Sequence, residues 1–147
     1  MFRTASTSDK LDDVDLFAEC SRSERRRLAA LMTPVHIHPG TPIMREGGSA
    51  NEFVLITGGT ARVTRQVDRA TVPVAELGVG AFVGEMGLLS GRPRSATVTS
   101  VSEVTALVSS GPEFWALVDA SPSVARRIAT AARERADMND SPLLEAG

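Results

Sequence analysis

The sequence is poor in the features that build disulfides, signal peptides and membrane spans. Cys20 is the only cysteine among 147 residues, so the chain cannot close an internal disulfide, and a reducing cytoplasm is the simpler setting. No apolar run approaches the roughly 18–20 residues that span a bilayer, and the N-terminal stretch MFRTASTSDKLDD lacks the apolar core of a signal peptide. The formal net charge of −2 is not the basic balance typical of nucleic-acid-binding proteins. We therefore expect a cytoplasmic protein without a membrane span and without nucleic-acid contact.

Motifs of catalysis and of cofactor binding are also scarce. No Gly-x-Gly-x-x-Gly stretch follows a predicted strand and opens a helix, which disfavours a dinucleotide-binding fold. No Ser-His-Asp or Cys-His constellation is visible in the sequence. We therefore predict a protein that is not an enzyme and that holds no cofactor and no metal.

The two histidines of the chain stand close together in the stretch VHIHPG. On a strand, His36 and His38 point to the same face, and His-x-His on a β-roll is similar to the metal site of the cupins. Two imidazoles hold a metal only with a further ligand, and Glu46 lies too far along the chain to match the cupin pattern. We interpret the two histidines as ordinary residues at a strand edge. The alternative is a metal-dependent cupin-like enzyme that uses His36 and His38.

Length and glycine spacing predict one domain with a β-rich middle. Between residues 34 and 110, short runs rich in Val, Ile, Phe and Thr are separated by glycines roughly every ten residues. This spacing is typical of an antiparallel sandwich or jelly roll. We predict helices over residues 11–33, a β-roll over 34–110 and helices over 111–138, with flexible ends at 1–10 and 139–147.

The flanking zones carry helix-start signals. Ser21 or Ser23 can cap a first helix, Pro112 suits the first turn of a second, and Ser121 precedes Pro122 at the start of a third. The apolar face of this last helix is narrow and rich in alanine: Val124, Ile128, Ala131 and Ala132. We expect such a helix to pack weakly and to be able to move.

Residues 84–97, GEMGLLSGRPRSAT, combine a carboxylate, a short apolar run and two arginines around a proline. GEMGLL is long enough for little more than one helical turn. The free amides of that turn, at Gly84, Glu85 and Met86, would favour an anion or a polar ligand atom.

Arg94 follows a rigid proline, so its guanidinium offers a fixed fork that matches a phosphate, and Ser95 adds a hydroxyl and an amide beside it. One positive charge suits a phosphodiester, whereas a triphosphate would ask for a Lys-bearing loop and a metal. Glu85 would repel that phosphate, so its useful partner is a hydroxyl group. A cyclic 3′,5′-nucleotide carries both a phosphodiester with one negative charge and a free hydroxyl group. The plainer alternative is a surface ion pair between Glu85 and Arg94, worth about 0–1 kcal/mol.

The stretch GEMGLLSGRPRSATV resembles the phosphate-binding cassette of cyclic nucleotide-binding domains, which occur in catabolite activator proteins, cyclic-nucleotide-dependent kinases and gated channels. Val83 stands where this family usually has Phe. The stretch MREGGSANEFVLITGGTARV is also similar to the glycine-cornered strands of the family, and the resemblance covers about residues 34–108. The matching cassette positions are Gly84, Glu85, Leu88, Pro93, Arg94, Ser95, Ala96 and Thr97.

The resemblance implies a role for the cassette residues. Glu85 would accept a hydrogen bond from the ribose 2′-hydroxyl, with help from the amide of Gly84. Arg94 would pair with the cyclic phosphate, and Ser95 and Ala96 would donate amide hydrogens to it.

The resemblance also places the base. Val63 and a residue near Val74 or Ala75 would line the purine pocket, although core packing explains such strand residues about as well. Arg135 has the offset from Ser-Pro at which channel-type members carry an arginine that folds over the base, with Arg133 as the fallback. A solvated helix charge is the plainer interpretation of Arg135.

The predicted fold is therefore mainly β with flanking helices: a jelly-roll-like antiparallel β-roll with an internal short cassette helix, N-terminal helices and a C-terminal lid helix. The predicted function is a sensor that binds cAMP, with cGMP as the second ligand, and closes its last helix over the base. It would act through an unknown protein effector or an output domain. The sensor half of a catabolite-activator-type regulator without its DNA-binding domain is a further alternative.

Overall fold

The computed structural model describes residues 10–12, 14–49 and 51–139, with side chains through Ala136. The ends that the sequence predicts to be flexible, 1–10 and 139–147, lie outside the described residues apart from Lys10 and Asn139. In the described part of the chain, no helix has both the length and the apolar character needed to cross a membrane.

The described helices lie before, within and after the β-rich part: α1 (Arg22–Ala29), α2 (Glu85–Ser90), α3 (Gly111–Ala120) and α4 (Pro122–Asn139). A 3₁₀ turn, Asp15–Phe17, precedes α1. Ser21 is the serine that caps α1, because it forms a reciprocal capping box with Glu24. Ser121 accepts a hydrogen bond from the amide of Val124 at 3.3 Å and so caps α4.

In the described residues, eight strands form two antiparallel sheets. The strands are β1 (Thr33–Ile37), β2 (Pro42–Met44), β3 (Glu52–Gly58), β4 (Ala61–Val67), β5 (Ala70–Leu77), β6 (Phe82–Val83), β7 (Thr97–Ser100) and β8 (Val104–Ser110). One sheet has the order β1-β8-β3-β6 and the other the order β2-β7-β4-β5. The predicted class, a mainly β antiparallel roll with flanking helices, is confirmed.

Strand β3 is buried on both faces and separates two apolar clusters. Because side chains alternate along a strand, Phe53 and Leu55 share one face and Val54 and Ile56 the other. Phe53 and Leu55 pack with the helices that flank the roll. Val54 and Ile56 pack with residues of the other strands inside the roll. The helices therefore cover the outside of one sheet, and α4 is brought to the same side of the molecule as β6 and α2.

Candidate functional site

The segment between β6 and β7 turns sharply at Gly84 before α2 begins. Gly84 has a left-handed φ of +101°, and a Cβ at this position would lie 2.3 Å from the carbonyl oxygen of Glu52 and 3.0 Å from a guanidinium nitrogen of Arg94. Only glycine fits this backbone and this close approach. We call residues 84–96 the cassette.

Arg94 is half-buried, and carbonyl groups hold its guanidinium. Nη1 donates to the carbonyl of Gly84 at 3.0 Å and Nη2 to the carbonyl of Glu52 at 2.8 Å. Burial lowers the pKa of Arg94 below its ordinary value, while the carboxylates of Glu85 and Glu52 act in the opposite direction. A partly desolvated cation in a fixed orientation is well suited to pair with an anionic ligand.

Glu85 is fully buried, and its partner is Arg135 rather than Arg94. Its Oε1 accepts a hydrogen bond from Nη1 of Arg135 in an ion pair. Its Oε2 is also buried and has no hydrogen-bond partner among the described residues. The surface ion pair between Glu85 and Arg94, which the sequence left open, is therefore not formed. A buried carboxylate oxygen without a donor is costly, and a hydroxyl group is a suitable donor for it.

Arg135 reaches the cassette from the C-terminal part of α4. Its Nη2 donates to the carbonyl of Phe82 at 2.6 Å, and its guanidinium carbon lies 5.2 Å from the centroid of the Phe82 ring. Arg133, the fallback candidate, is exposed and does not line the cavity described below. The guanidinium of Arg135 thus contacts the cassette and Phe82 instead of standing free to cover a base.

A cavity of about 380 Å³ opens beside the cassette. Its volume lies in the range of about 300–1,000 Å³ that is usual for small-molecule sites. Glu85 is buried and does not line it. The other ligand-binding residues predicted from the sequence all line it: Gly84, Met86, Arg94, Ser95, Ala96, Val63, Val74, Ala75 and Arg135. The cassette therefore forms one wall, and strands β4 and β5 form another.

Two adjacent amides of the cassette complete the surroundings of Arg94. Within the described residues, the amides of Ser95 and Ala96 donate to no backbone carbonyl. Both residues line the cavity next to the guanidinium. Gly91 ends α2 with a left-handed φ of 72°, and the chain then returns through this loop to β7. The guanidinium and the two amides thus belong to the same wall of the cavity.

Sequence reasoning missed two arginines of the cavity, Arg65 and Arg92. Arg65 follows Val63 on β4 with one residue between them, so the two-residue alternation of a strand places both on one face and could have identified it. With Arg94 and Arg135, four arginines line the cavity, and no carboxylate of the described residues does. The cavity is therefore cationic, although the chain as a whole has a net charge of −2.

His36 and His38 lie outside the roll and away from this cavity. Their side chains are 53% and 80% exposed, and both face the carboxylate of Glu103. A cupin-like active site would need these imidazoles inside the roll, so their exposure argues against that alternative.

Comparison with known proteins identifies the same part of the chain. The family model described as "Cyclic nucleotide-binding domain" matches residues 34–121. A cyclic nucleotide-gated potassium channel of Rhizobium etli is 37% identical over 122 residues, which cover 83% of this chain and 33% of the channel. The cAMP-dependent protein kinase regulatory subunit of Yarrowia lipolytica is 34% identical over 94 residues, which cover 64% of this chain and 24% of the subunit.

A solved structure, the Catabolite Activator Protein of Thermus thermophilus, has a TM-score of 0.78 and 26% sequence identity, covering 87% of this chain and 61% of that one. The present chain thus spans about a quarter to a third of the two curated relatives named above.

Proposed function

This chain belongs to the cyclic nucleotide-binding domain family, and we propose that it binds a cyclic 3′,5′-nucleotide, cAMP in preference to cGMP, in the cavity beside the cassette. The observation that carries the proposal is the combination of the fixed cation of Arg94 with the buried Oε2 of Glu85, which finds no hydrogen-bond partner among the residues that the structure describes. The cation matches a phosphate with one negative charge, and the oxygen matches a hydroxyl donor. A cyclic nucleotide carries both groups on one rigid frame.

Different parts of the lining serve different parts of the proposed ligand. Arg94 and the amides of Ser95 and Ala96 bind the phosphate. Glu85 lies behind the lining in this structure, so its carboxylate accepts a hydrogen bond from the ribose 2′-hydroxyl after a local shift of the cassette. The apolar side chains on β4 and β5 contact the base: Val63, Val74 and Ala75. The preference for cAMP is supported by the likeness to a cAMP-dependent kinase subunit.

We propose that α4 transmits the binding event to a protein effector or to a further output domain. The first half of α4 is fixed, because Val124 and Ile128 are fully buried in the core. The second half reaches the cassette through Arg135. The part that moves is therefore the helix after Ile128, a shorter segment than the whole helix from Ser121 that the sequence suggests.

The two carboxylate oxygens of Glu85 couple the ligand to this helix. Oε1 holds Arg135, and Oε2 accepts the ribose hydroxyl, so bound ligand and closed helix stabilise each other. Such coupling requires that the open and closed states differ in ligand affinity, typically by about 1–3 kcal/mol.

The proposed role is regulatory rather than catalytic, in a reducing cytoplasm. The position of α4 is then the signal that a protein effector or a further output domain reads. A second form of the same proposal is that this chain is the sensor part of a catabolite-activator-type regulator. The fold similarity to the Thermus thermophilus protein supports this form.

Isothermal titration calorimetry tests the binding proposal. A ligand of about 22 heavy atoms, each contributing roughly 0.3 kcal/mol, gives a Kd on the order of 10 µM for cAMP. Replacing Arg94 by Ala leaves the phosphate without its partner and should cost about 2–5 kcal/mol of binding free energy. The control is Arg62→Ala, since Arg62 pairs with Glu76 at 3.2 Å outside the cavity lining and should not affect binding. Failure of the unmodified chain to bind cyclic nucleotides, or equal binding by Arg94→Ala, would contradict the proposal.

Hydrogen exchange tests the switching step separately. Amides between Val124 and Ile128 should be protected with and without cAMP, because this part of α4 is buried. Amides after Ile128 should exchange more slowly once cAMP is added. Equal protection of the whole helix in both states would show that α4 is static scaffolding, even if cAMP binds.

A further inference from the structure

A second cluster of ligating side chains brings both histidines of the chain together with Glu103. His36 Nε2 lies 2.5 Å from Glu103 Oε2, and His38 Nδ1 lies 3.5 Å from Glu103 Oε1. One ligating atom from each residue can be chosen so that all three lie within 4.8 Å of one another. We propose that His36, His38 and Glu103 form a binding site for a divalent transition-metal ion of the zinc type.

The spacing of the cluster is close to what zinc requires. Bonds of about 2.0–2.2 Å in a tetrahedral arrangement place neighbouring ligand atoms roughly 3.4 Å apart. The side chains are 53–80% exposed, so small rotations can bring them to this spacing without disturbing the core. Two imidazoles and one carboxylate are donors that suit zinc, copper, nickel or iron, whereas calcium and magnesium prefer oxygen ligands alone.

The backbone around the three ligands is already held in place. His36 lies in the ladder between β1 and β8. The carbonyl of His38 accepts a hydrogen bond from the buried hydroxyl of Ser100 at 2.6 Å. The hydroxyl of Ser102 donates to the carbonyl of Glu103 at 3.0 Å. A metal ion therefore has to order only three side chains, which keeps the entropic cost of binding small.

The metal site and the nucleotide cavity lie at opposite ends of β3. At one end, the carbonyl of Glu52 accepts from Arg94 of the cassette. At the other end, Gly58 pairs with Thr105, close to Glu103. β3 has seven residues and rises about 3.3 Å per residue, so the two sites are roughly 20 Å apart. We therefore expect zinc and nucleotide to bind without competition, with zinc joining the end of β1 to the segment before β8.

Zinc titration of the untagged chain, in competition with a chromophoric chelator, tests the proposal. We expect one Zn²⁺ per chain. The substitutions His36→Ala, His38→Ala and Glu103→Gln should each weaken zinc binding by at least about tenfold, because even outer-sphere partners of a metal are worth about 10–100-fold. Glu19→Gln is the matched control, since the Glu19 side chain is 53% exposed and pairs with arginines elsewhere. It should keep the affinity of the unmodified chain.

Nuclear magnetic resonance of the histidine rings gives a readout that needs no variant. The chain has two histidines, so their ring signals are simple to resolve, and Zn²⁺ should shift both sets while the affinity for cAMP stays the same. Absence of saturable zinc binding, equal binding by the three ligand variants, or histidine signals that zinc does not move would overturn the proposal. The cluster would then be a surface hydrogen-bonded group only.

Discussion

Two carboxylates, one beside each end of β3, face nitrogen-bearing side chains in opposite surroundings. Glu85 is 0% exposed and faces Arg135, whereas the Glu103 side chain is 57% exposed and faces His36 and His38. At the cassette end, water cannot replace a lost partner, so each polar atom depends on a protein or ligand group. At the other end, water can hydrogen-bond to the carboxylate oxygens of Glu103 wherever the histidines do not.

This difference in burial predicts a difference in function. Under the proposed function, the cassette end would select its ligand by matching the fixed cation of Arg94 and the buried acceptor of Glu85. We expect the histidine end to contribute little to folding, because its side chains are exposed and free to rearrange around an ion. Substitutions at the cassette end should therefore have large effects on stability and affinity, and those at the histidine end small effects unless zinc is present.

The largest effect is expected for Gly84→Ala. A side chain at this left-handed φ costs roughly 1–2 kcal/mol, and the clash with the carbonyl of Glu52 adds about 1–3 kcal/mol. Gly91→Ala is the matched control, because Gly91 is also left-handed but a Cβ there meets no atom within 4 Å. Urea unfolding should show a clearly larger loss for Gly84→Ala, together with loss of cAMP binding. Equal losses for the two variants would mean that the close approach at Gly84 is unimportant.

The next effect is expected for Arg135→Ala, which leaves the buried carboxylate of Glu85 without its partner. An unsatisfied buried group costs about 1–3 kcal/mol, and cAMP should dissociate roughly 2- to 30-fold faster because the closed helix is no longer held. Arg126→Ala tests specificity, since Arg126 lies on the same helix but is 67% exposed and pairs with Glu19. Unfolding and stopped-flow measurements should separate the two variants. If they behave alike, the contact between Arg135 and Glu85 has no role in the switch.

A smaller effect is expected for ligand selectivity. Ser95 lines the cavity, and if its hydroxyl contacts the 2-amino group of a syn guanine, cGMP should also bind. The preference for cAMP should then stay below about tenfold, or 1.4 kcal/mol. A competition assay with both nucleotides measures this ratio. A tenfold preference for cGMP would reverse the assignment of the ligand while leaving the cassette in place.

The smallest effect is expected for Glu103→Gln in the presence of a metal chelator. The contacts of Glu103 with His36 and His38 are exposed, so their loss should change the free energy of unfolding by only about 0–1 kcal/mol. Urea unfolding at neutral pH measures this change. A loss as large as that of Arg135→Ala would show that the cluster is needed for folding, and that the contrast between the two ends of β3 is wrong.

Much of the fold and of the cassette could be predicted because the signals are local. Glycine at Gly84 and Gly91, the serine caps, and the two-residue alternation of β3 act over a few neighbouring residues. The same is true of the cassette stretch that resembles the family, where backbone turns bring Gly84 close to Arg94. The cavity residues on β4 and β5 were predicted from the resemblance, and Arg65 was missed although it follows Val63 at strand spacing.

Other contacts could not be predicted, because they depend on how distant segments pack. The partner of Glu85 is Arg135, 50 residues away, and the packing of α4 against the core brings them together. Glu46 lies too far along the chain to match the cupin pattern, and the sequence points to no other acidic partner for the histidines, whereas the structure brings Glu103 to them through the pairing of β1 with β8.

The amino-acid order alone determined the β-roll, the helix starts and the presence of a rigid arginine after a glycine-led turn, because sterics and periodicity act over short distances. The packing of distant segments sets which charged groups are buried and which partner each carboxylate finds. Burial and long-range pairing depend on the whole packed chain, and they bury the carboxylate of Glu85 against Arg135 and leave that of Glu103 exposed beside two histidines.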